Sequence, residues 1–338
     1  MSVEVYNDLG AIPPRTARRL SIEAGVPFFK SIEWFRCLIE HGLPEQRLAI
    51  FIDQNPADRL SVLFCTDNNG QLHSLSNFYT IEYGPFVRGG GLGSIMRFIA
   101  DSRQKFSSLD LRNLQESDLA LLSDHLADAG FRNHPWPQYQ NWFLAVGGRS
   151  FEQYYQQRNS KLRNTIERRQ RKAQRQHELR IAIYPSADIN IEQAIAHFQT
   201  VYSASWKQDE PFPGFMPALM QCCDRLQLAR IGLAWIDDKP AAAQFWITER
   251  NRAVIYKLAY DEQFAHLSPG SLLSRSMFEH AIDVDRVKEI DYGTGDEAYK
   301  RDWMSDSRQL SGLLACNLST LKGRLLHWRQ CLADLKSN

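Results

Sequence analysis

The sequence lacks what would mark a membrane span, a disulfide scaffold or a metalloenzyme. Nowhere in its 338 residues is there an uninterrupted apolar run of about eighteen, the length that crosses a bilayer. The start, MSVEVYNDLGAIPP, has neither a basic n-region nor an apolar h-region, so no secretory signal is expected. Cys37, Cys65, Cys222, Cys223, Cys316 and Cys331 form no C-x-x-C pair, and the adjacent Cys222 and Cys223 are too close for ordinary ligand spacing. Reduced thiols in a cytoplasmic protein are the expectation. The nine histidines show no H-x-x-x-H or H-E-x-x-H spacing, so no metal site is expected. Net charge is almost absent, at +1.

That small net charge hides an uneven distribution. Residues 151–180 hold nine Lys/Arg against three Asp/Glu, so the rest of the chain is net acidic. The run lacks Gly and Pro and reads as a helix. Positions 158, 161, 168, 172 and 175 recur every three to four residues, which gives it one cationic face. With only Leu162 and Ile166 apolar, it is too polar to insert into a membrane. It is either a solvated linker or a surface for an anion: a cofactor phosphate, an anionic acceptor, tRNA or a membrane surface.

On either side of this run the pattern is mixed α/β. RLAIFID, RLSVLFCTD, HSLSNFYTIEY, SSLDLRNL and QNWFLAV read as strands, with a turn at 54–58 and helices at 31–42, 91–104 and 116–129. After the basic run come the strand LRIAIY, helices at 189–206 and 215–226, and three strands ending in RAVIYKLAY. A helix from Ser271, the strand VKEIDY, a helix carrying EAYKRDW, the strand RQLSGLLACN and a terminal helix from about Leu318 complete the chain. The halves repeat. At one offset of 177, Tyr79, Ile81, Tyr83, Gly93 and Ser94 match Tyr256, Leu258, Tyr260, Gly270 and Ser271, which favours a duplicated fold.

Two stretches carry chemistry. LSPGSLL opens a helix directly after a strand, and the free N–H groups and dipole of a helix start cradle anions. GTGDEA at 293–298 fits a dinucleotide fingerprint, but only one strand and one helix follow it, so that match is rejected. Residues 155–305 resemble the GNAT acetyltransferase group that includes the CelD-like proteins, itself similar to the Fem peptidyltransferases with two tandem GNAT-like domains. The resemblance rests on RNSKLRNTIERRQRKAQR, KPAAAQFWI, YKLAYDEQFAHLSPGSLL and IDYGTGDEAYKRDW. It implies an α/β fold with mixed sheets: two GNAT-like (acyl-CoA N-acyltransferase) domains, 1–149 and 150–338, the second beginning with the basic helix.

The resemblance also implies direct acyl transfer from an acyl-CoA co-substrate to a small-molecule, sugar or amine acceptor, with no permanently bound cofactor. The alternatives are a Fem-like transferase using aminoacyl-tRNA and a non-catalytic binding protein on the same fold. By the resemblance, coenzyme A phosphates sit at Leu267, Ser268, Pro269, Gly270 and Ser271, although HLSPGS keeps one glycine where the family has more. Tyr299 is the candidate proton donor to the leaving sulfur, or else a packing residue. Asp291 and Asp296 are candidate bases or substrate anchors, Asp296 being equally a candidate helix cap. Trp206, Gln244, Lys257, Tyr260 and Lys300 are candidate substrate contacts. Trp206 belongs to a loop with Lys207, Asp209 and Glu210 on the expected acceptor side.

Overall fold

Tight turns and apolar strands give each of two units a run of strands of the same design. The computed structural model describes residues 3–43, 45–55, 59–101 and 106–337. The expected turn at 54–58 and the end of the helix expected at 91–104 lie partly outside the described residues. The chain divides into two compact units: Met1–Tyr139 with Gln309–Asn338, and Gln140–Arg308.

The first unit contains β1 (Glu4–Tyr6), α1 (Pro14–Arg19), α2 (Ile32–His41), β2 (Leu48–Gln54), β3 (Leu60–Asn68), β4 (Gln71–Ser74), β5 (Phe86–Arg88), α3 (Gly93–Asp101), β6 (Ser108–Leu114), α4 (Glu116–Asp128) and most of β7 (Phe131–Ala145). The second contains the end of β7, then α5 (Phe151–Gln156), α6 (Ser160–Gln176), β8 (Leu179–Tyr184), α7 (Ile191–Ser203), α8 (Phe215–Arg225), β9 (Ala229–Ile236), β10 (Lys239–Glu249), β11 (Arg252–Tyr260), α9 (Pro269–Glu279), β12 (Glu289–Thr294) and α10 (Ala298–Trp303). The chain returns to the first unit within β13 (Asp306–Asn317) and ends in α11 (Leu321–Ser337).

In the first unit the strand order is β1-β2-β3-β4-β6-β13, with β5 added to β3; in the second it is β8-β9-β10-β11-β12-β7. Within each unit these neighbours are antiparallel except one pair, β4–β6 and β11–β12 respectively. A helix, α3 or α9, bridges each parallel pair, as such a crossover requires. Gly93 opens α3 and Gly270 is the second residue of α9, so these matched glycines do mark equivalent helix starts. The expected strand at 73–83 is different. Regular pairing stops at Ser74, and only Tyr83 touches a strand again, at Leu114. Tyr79 and Tyr83 are buried, but their match to β11 is not one of a shared strand.

The basic run is part of the second unit. Ser150 and Gln153 form a capping box ahead of α5, and Asn159 caps α6. Along α6, Ile166 and Ala173 are fully buried and Leu162 packs beside them. The aromatic core next to it stacks Tyr154 and Trp303 on Phe278 at 5.6 and 4.7 Å, with Trp246 edge-on at 5.3 Å. A solvated linker would bury none of these residues.

In the first unit α11 docks through a glycine. A Cβ on Gly323 would stand 2.0 Å from the Asn317 carbonyl oxygen and 2.7 Å from that of Ser107. Backbone cannot yield as a side-chain tip can. Gly323→Ala is therefore expected to cost at least the roughly 1–3 kcal/mol of an overpacked core. The loss should appear as faster amide exchange along α11; exchange unchanged from the parent would show that the helix is not held there.

Candidate active site

The parallel pair β11–β12 holds together only where Arg252, Ala253 and Val254 face Glu289, Ile290 and Asp291. Beyond Val254 the strands part. β11 stays paired to β10 as far as Tyr260, across a register shift between Phe245 and Trp246 that leaves Tyr256 as the extra residue. Among the described residues, Ile255–Tyr260 therefore has no strand partner on the β12 side.

The helix start lies on one side of this opening. Gln244, buried on β10, donates from Nε2 to the Gly270 carbonyl at 3.2 Å and to Ser274 Oγ at 2.8 Å, and accepts from Trp246 Nε1 at 3.0 Å. The expectation that Gln244 contacts substrate is thus redirected: it ties α9 to the sheet. Leu267 is also redirected, because it is fully buried against Ile236 and Ala241. Pro269 is buried too, and Ser268 takes the left-handed conformation at φ 56°. The Ser271 and Leu272 N–H groups both return to the Ser268 carbonyl. Since proline has no N–H, the Gly270 N–H is the uncommitted donor of this turn among the described residues. Arg169 of α6 reaches the loop just ahead, donating to the His266 carbonyl at 2.5 Å.

The expected acceptor loop adjoins this helix start. A Cβ on Gly270 would meet the Tyr260 ring at 3.2 Å, and Tyr260 packs on Trp206 at 4.5 Å. The Lys207 ammonium lies 5.8 Å from the Trp206 ring and 5.7 Å from that of Tyr202. Glu210 accepts from Tyr202 and from Lys257, both at 2.5 Å. Burial pushes the Lys207 pKa down to about 8; Lys257 adds to this, while Glu210 and Glu297 oppose it. Beside Tyr202 and Glu210 is a cavity of about 320 Å³, lined at its apolar end by Ile195, Phe198, Met216 and Met220.

The turn after β12 forms another part of the constellation. Lys300 is buried and its ammonium is spent locally, donating to the Thr294 carbonyl at 2.5 Å and pairing with Glu297 at 2.8 Å. It shapes the turn and is not a free substrate contact. Tyr299 is 45% exposed, its ring edge-on to Tyr292 at 5.6 Å. Partial burial, then Glu297, raises its pKa to about 12, so its hydroxyl stays protonated near neutrality.

The two aspartates lie outside this group of contacts. Asp291 has no exposure and sits at the closed end of the strand pair. Its carboxylate accepts from Arg252 at 2.6 Å, Asn141 at 2.7 Å and Arg308. Burial would raise its pKa, but the two guanidiniums outweigh that and hold it at about 2. A carboxylate so saturated is a structural ion cluster, not a base. Asp296 is exposed, accepts from Trp142 and Arg301, both at 2.7 Å, and does not cap α10; Glu297 holds the cap position. Tyr202, Glu297 and the lowered pKa of Lys207, itself already placed in the expected acceptor loop, are what sequence reading missed. Tyr202 looks like one more apolar-face residue of α7, and only the fold sets it beside Glu210.

Residues 160–301 match the family model described as acetyltransferase (GNAT) domain. This segment is a GNAT domain. No curated protein matches the chain. Among solved structures, FemX has a TM-score of 0.59 at 7% identity, over 85% of this chain and 92% of that one. A tandem GNAT protein from the clavulanic acid biosynthesis pathway gives 0.51 at 11%, over 92% and 98%. L-PGS from Bacillus licheniformis gives 0.52 at 11%, over 88% and 95%. At such identities the likeness is one of fold, and the fold is the tandem GNAT fold. Within the GNAT domain, the parting of β11 from β12 and the adjoining start of α9 are the features that bring Trp206, Tyr260, Gly270 and Lys257 together.

Proposed function

We propose that the GNAT domain transfers an acyl group directly from acyl-coenzyme A to an amine or hydroxyl acceptor. The observation that carries this reading is the gap between β11 and β12, with a helix start on one side and Lys207, Glu210 and Tyr299 around it. The donor phosphates lie at Ser268–Ser271, and the thioester enters the gap. The acceptor occupies the cavity beside Tyr202 and Glu210, its apolar part toward Phe198 and Met216. Neutral Lys207 takes the acceptor's proton as its lone pair attacks the thioester carbonyl. Backbone N–H groups of β11 at the edge of the gap stabilise the oxyanion. The C–S bond then breaks, and the Tyr299 hydroxyl gives its proton to the departing thiolate and regains one from solvent.

The other donor class also has support. Arg168, Arg171, Lys172 and Arg175 line one surface of α6 and form no ion pair among the described residues, which suits a polyanion such as charged tRNA. Calorimetry with an acyl-coenzyme A and with charged tRNA separates the two. Under the favoured reading acyl-coenzyme A binds. Gly270→Val weakens that binding by pressing Tyr260 off the helix start, while Glu at 168, 171, 172 and 175 leaves it within a few-fold. Binding of tRNA alone, lost in the charge-reversed variant and steeply salt-dependent, would replace the coenzyme A reading. Arg169 is kept in that variant because it holds the His266 carbonyl.

A further inference from the structure

The spacing of histidines along the chain shows no metal motif, yet the first unit brings two histidines and a cysteine together. His134 lies on β7; His327 and Cys331 lie four residues apart on α11. Side chains at i and i+4 share one helix face and can grip one ion. His134 Nε2 is 2.9 Å from His327 Nδ1, and Cys331 Sγ is 3.7 Å from that nitrogen and 3.8 Å from His327 Nε2. One ligand atom from each residue lies within 4.8 Å of the other two. Among the described residues this is the one group of three such ligands that converges so closely.

Two of these separations are close to those of a tetrahedral zinc site. With Zn–N near 2.0–2.1 Å and Zn–S near 2.3 Å, neighbouring donor atoms stand roughly 3.3–3.7 Å apart. The sulfur–nitrogen distance is already in that range. The two imidazoles, now sharing a hydrogen bond, have to part by about half an ångström and turn so that one nitrogen of each faces the ion. All three side chains are half-buried, so an ion has a way in and a water can take the fourth position. Two imidazoles and a thiolate are a borderline-soft set that suits zinc and not magnesium or calcium.

We infer that His134, His327 and Cys331 form a zinc site that clips α11 to β7. Cys331 binds as the thiolate and releases its proton to solvent. Gly323 already fixes the first turn of the helix, and the ion fixes its middle. None of the three residues belongs to the acyl-transfer constellation, so the site is independent of the proposed reaction.

The test uses the full chain, kept reduced, titrated with Zn²⁺ in a calorimeter and with Co²⁺ in a spectrophotometer. One ion per chain is expected, with an intense sulfur-to-cobalt charge-transfer band. Cys331→Ser should abolish that band, and both it and His134→Ala should weaken zinc binding at least ~tenfold. In the parent protein zinc should also slow amide exchange along α11, and in neither variant should it do so. The wild-type titrations do not depend on the variants folding. Absence of the charge-transfer band in the parent, or zinc binding that is the same in parent and variants, overturns the site; the latter result means that other side chains hold the ion.

Discussion

Lys207→Met is expected to lower kcat by about 10²–10⁴-fold, the usual worth of a general acid or base, with little change in donor affinity. The sign of the accompanying pH effect follows from the depressed pKa. Lys207 is the base only when neutral, so wild-type activity should rise as pH passes through about 8. Lys207→Arg keeps a permanent charge and should be slow at every pH, without that rise. Tyr299→Phe offers the contrast. It removes a proton donor whose pKa is about 12, so the rate should fall by at least the lower end of the same range while the rise near pH 8 persists. Turnover is followed as free thiol released from the acyl-coenzyme A that binds in calorimetry. A methionine variant with the parent's rate and pH profile would remove Lys207 from the chemistry, and a phenylalanine variant at full rate would return Tyr299 to packing.

Asp291→Ala should be the most damaging single change to the stability of the second unit. It leaves Arg252 and Arg308, both about three-quarters buried, without their shared carboxylate. Breaking a buried ion pair from one side costs about 3–5 kcal/mol. Glu289 still pairs with Arg252 at 3.2 Å and Arg308 at 2.9 Å, so the lower end is expected. For a unit of this size that corresponds to a melting-point drop of roughly 6–12 °C. The same carboxylate makes stability pH-dependent. Its folded pKa of about 2 lies below the ordinary value near 3.9, so its contribution is complete above about pH 4. It is lost as pH falls toward 2, because the unfolded chain takes up the proton more readily. Calorimetric melting across that window tests both statements: a shift under about 2 °C in the alanine variant, or a parent whose stability ignores acid, would mean that the cluster is solvated and idle.

Much of the fold is legible in local pattern. The three hairpin strands β9, β10 and β11 announce themselves by β-rich runs between short turns, with Asp237 and Asp238 at φ 50° and 60° making the first turn. The start of α9 is marked by Ser-Pro-Gly, and the offset of 177 pairs it with the start of α3. These signals span a few residues, and periodicity carries them. The loop after α7 was also legible as a possible pocket mouth, because Trp206 and Lys207 precede PFPG.

What the chain could not disclose are properties of places that the fold creates. The parting of β11 from β12 is a fact about register, which no single strand encodes. Asp291 reads as a chemical carboxylate until Arg252 and Arg308, both distant in sequence, are seen to saturate it. Gln244 and Lys300 read as cleft residues until their hydrogen bonds are traced to neighbouring backbone. Lys207 owes its low pKa to surrounding side chains that desolvate it and to nearby Lys257. The trio of His134, His327 and Cys331 escapes any spacing rule, since 193 positions separate the two histidines. Periodicity reports which face of an element is buried. Desolvation, ion pairing and ligand convergence depend on distances in space, and those exist only once the chain has folded.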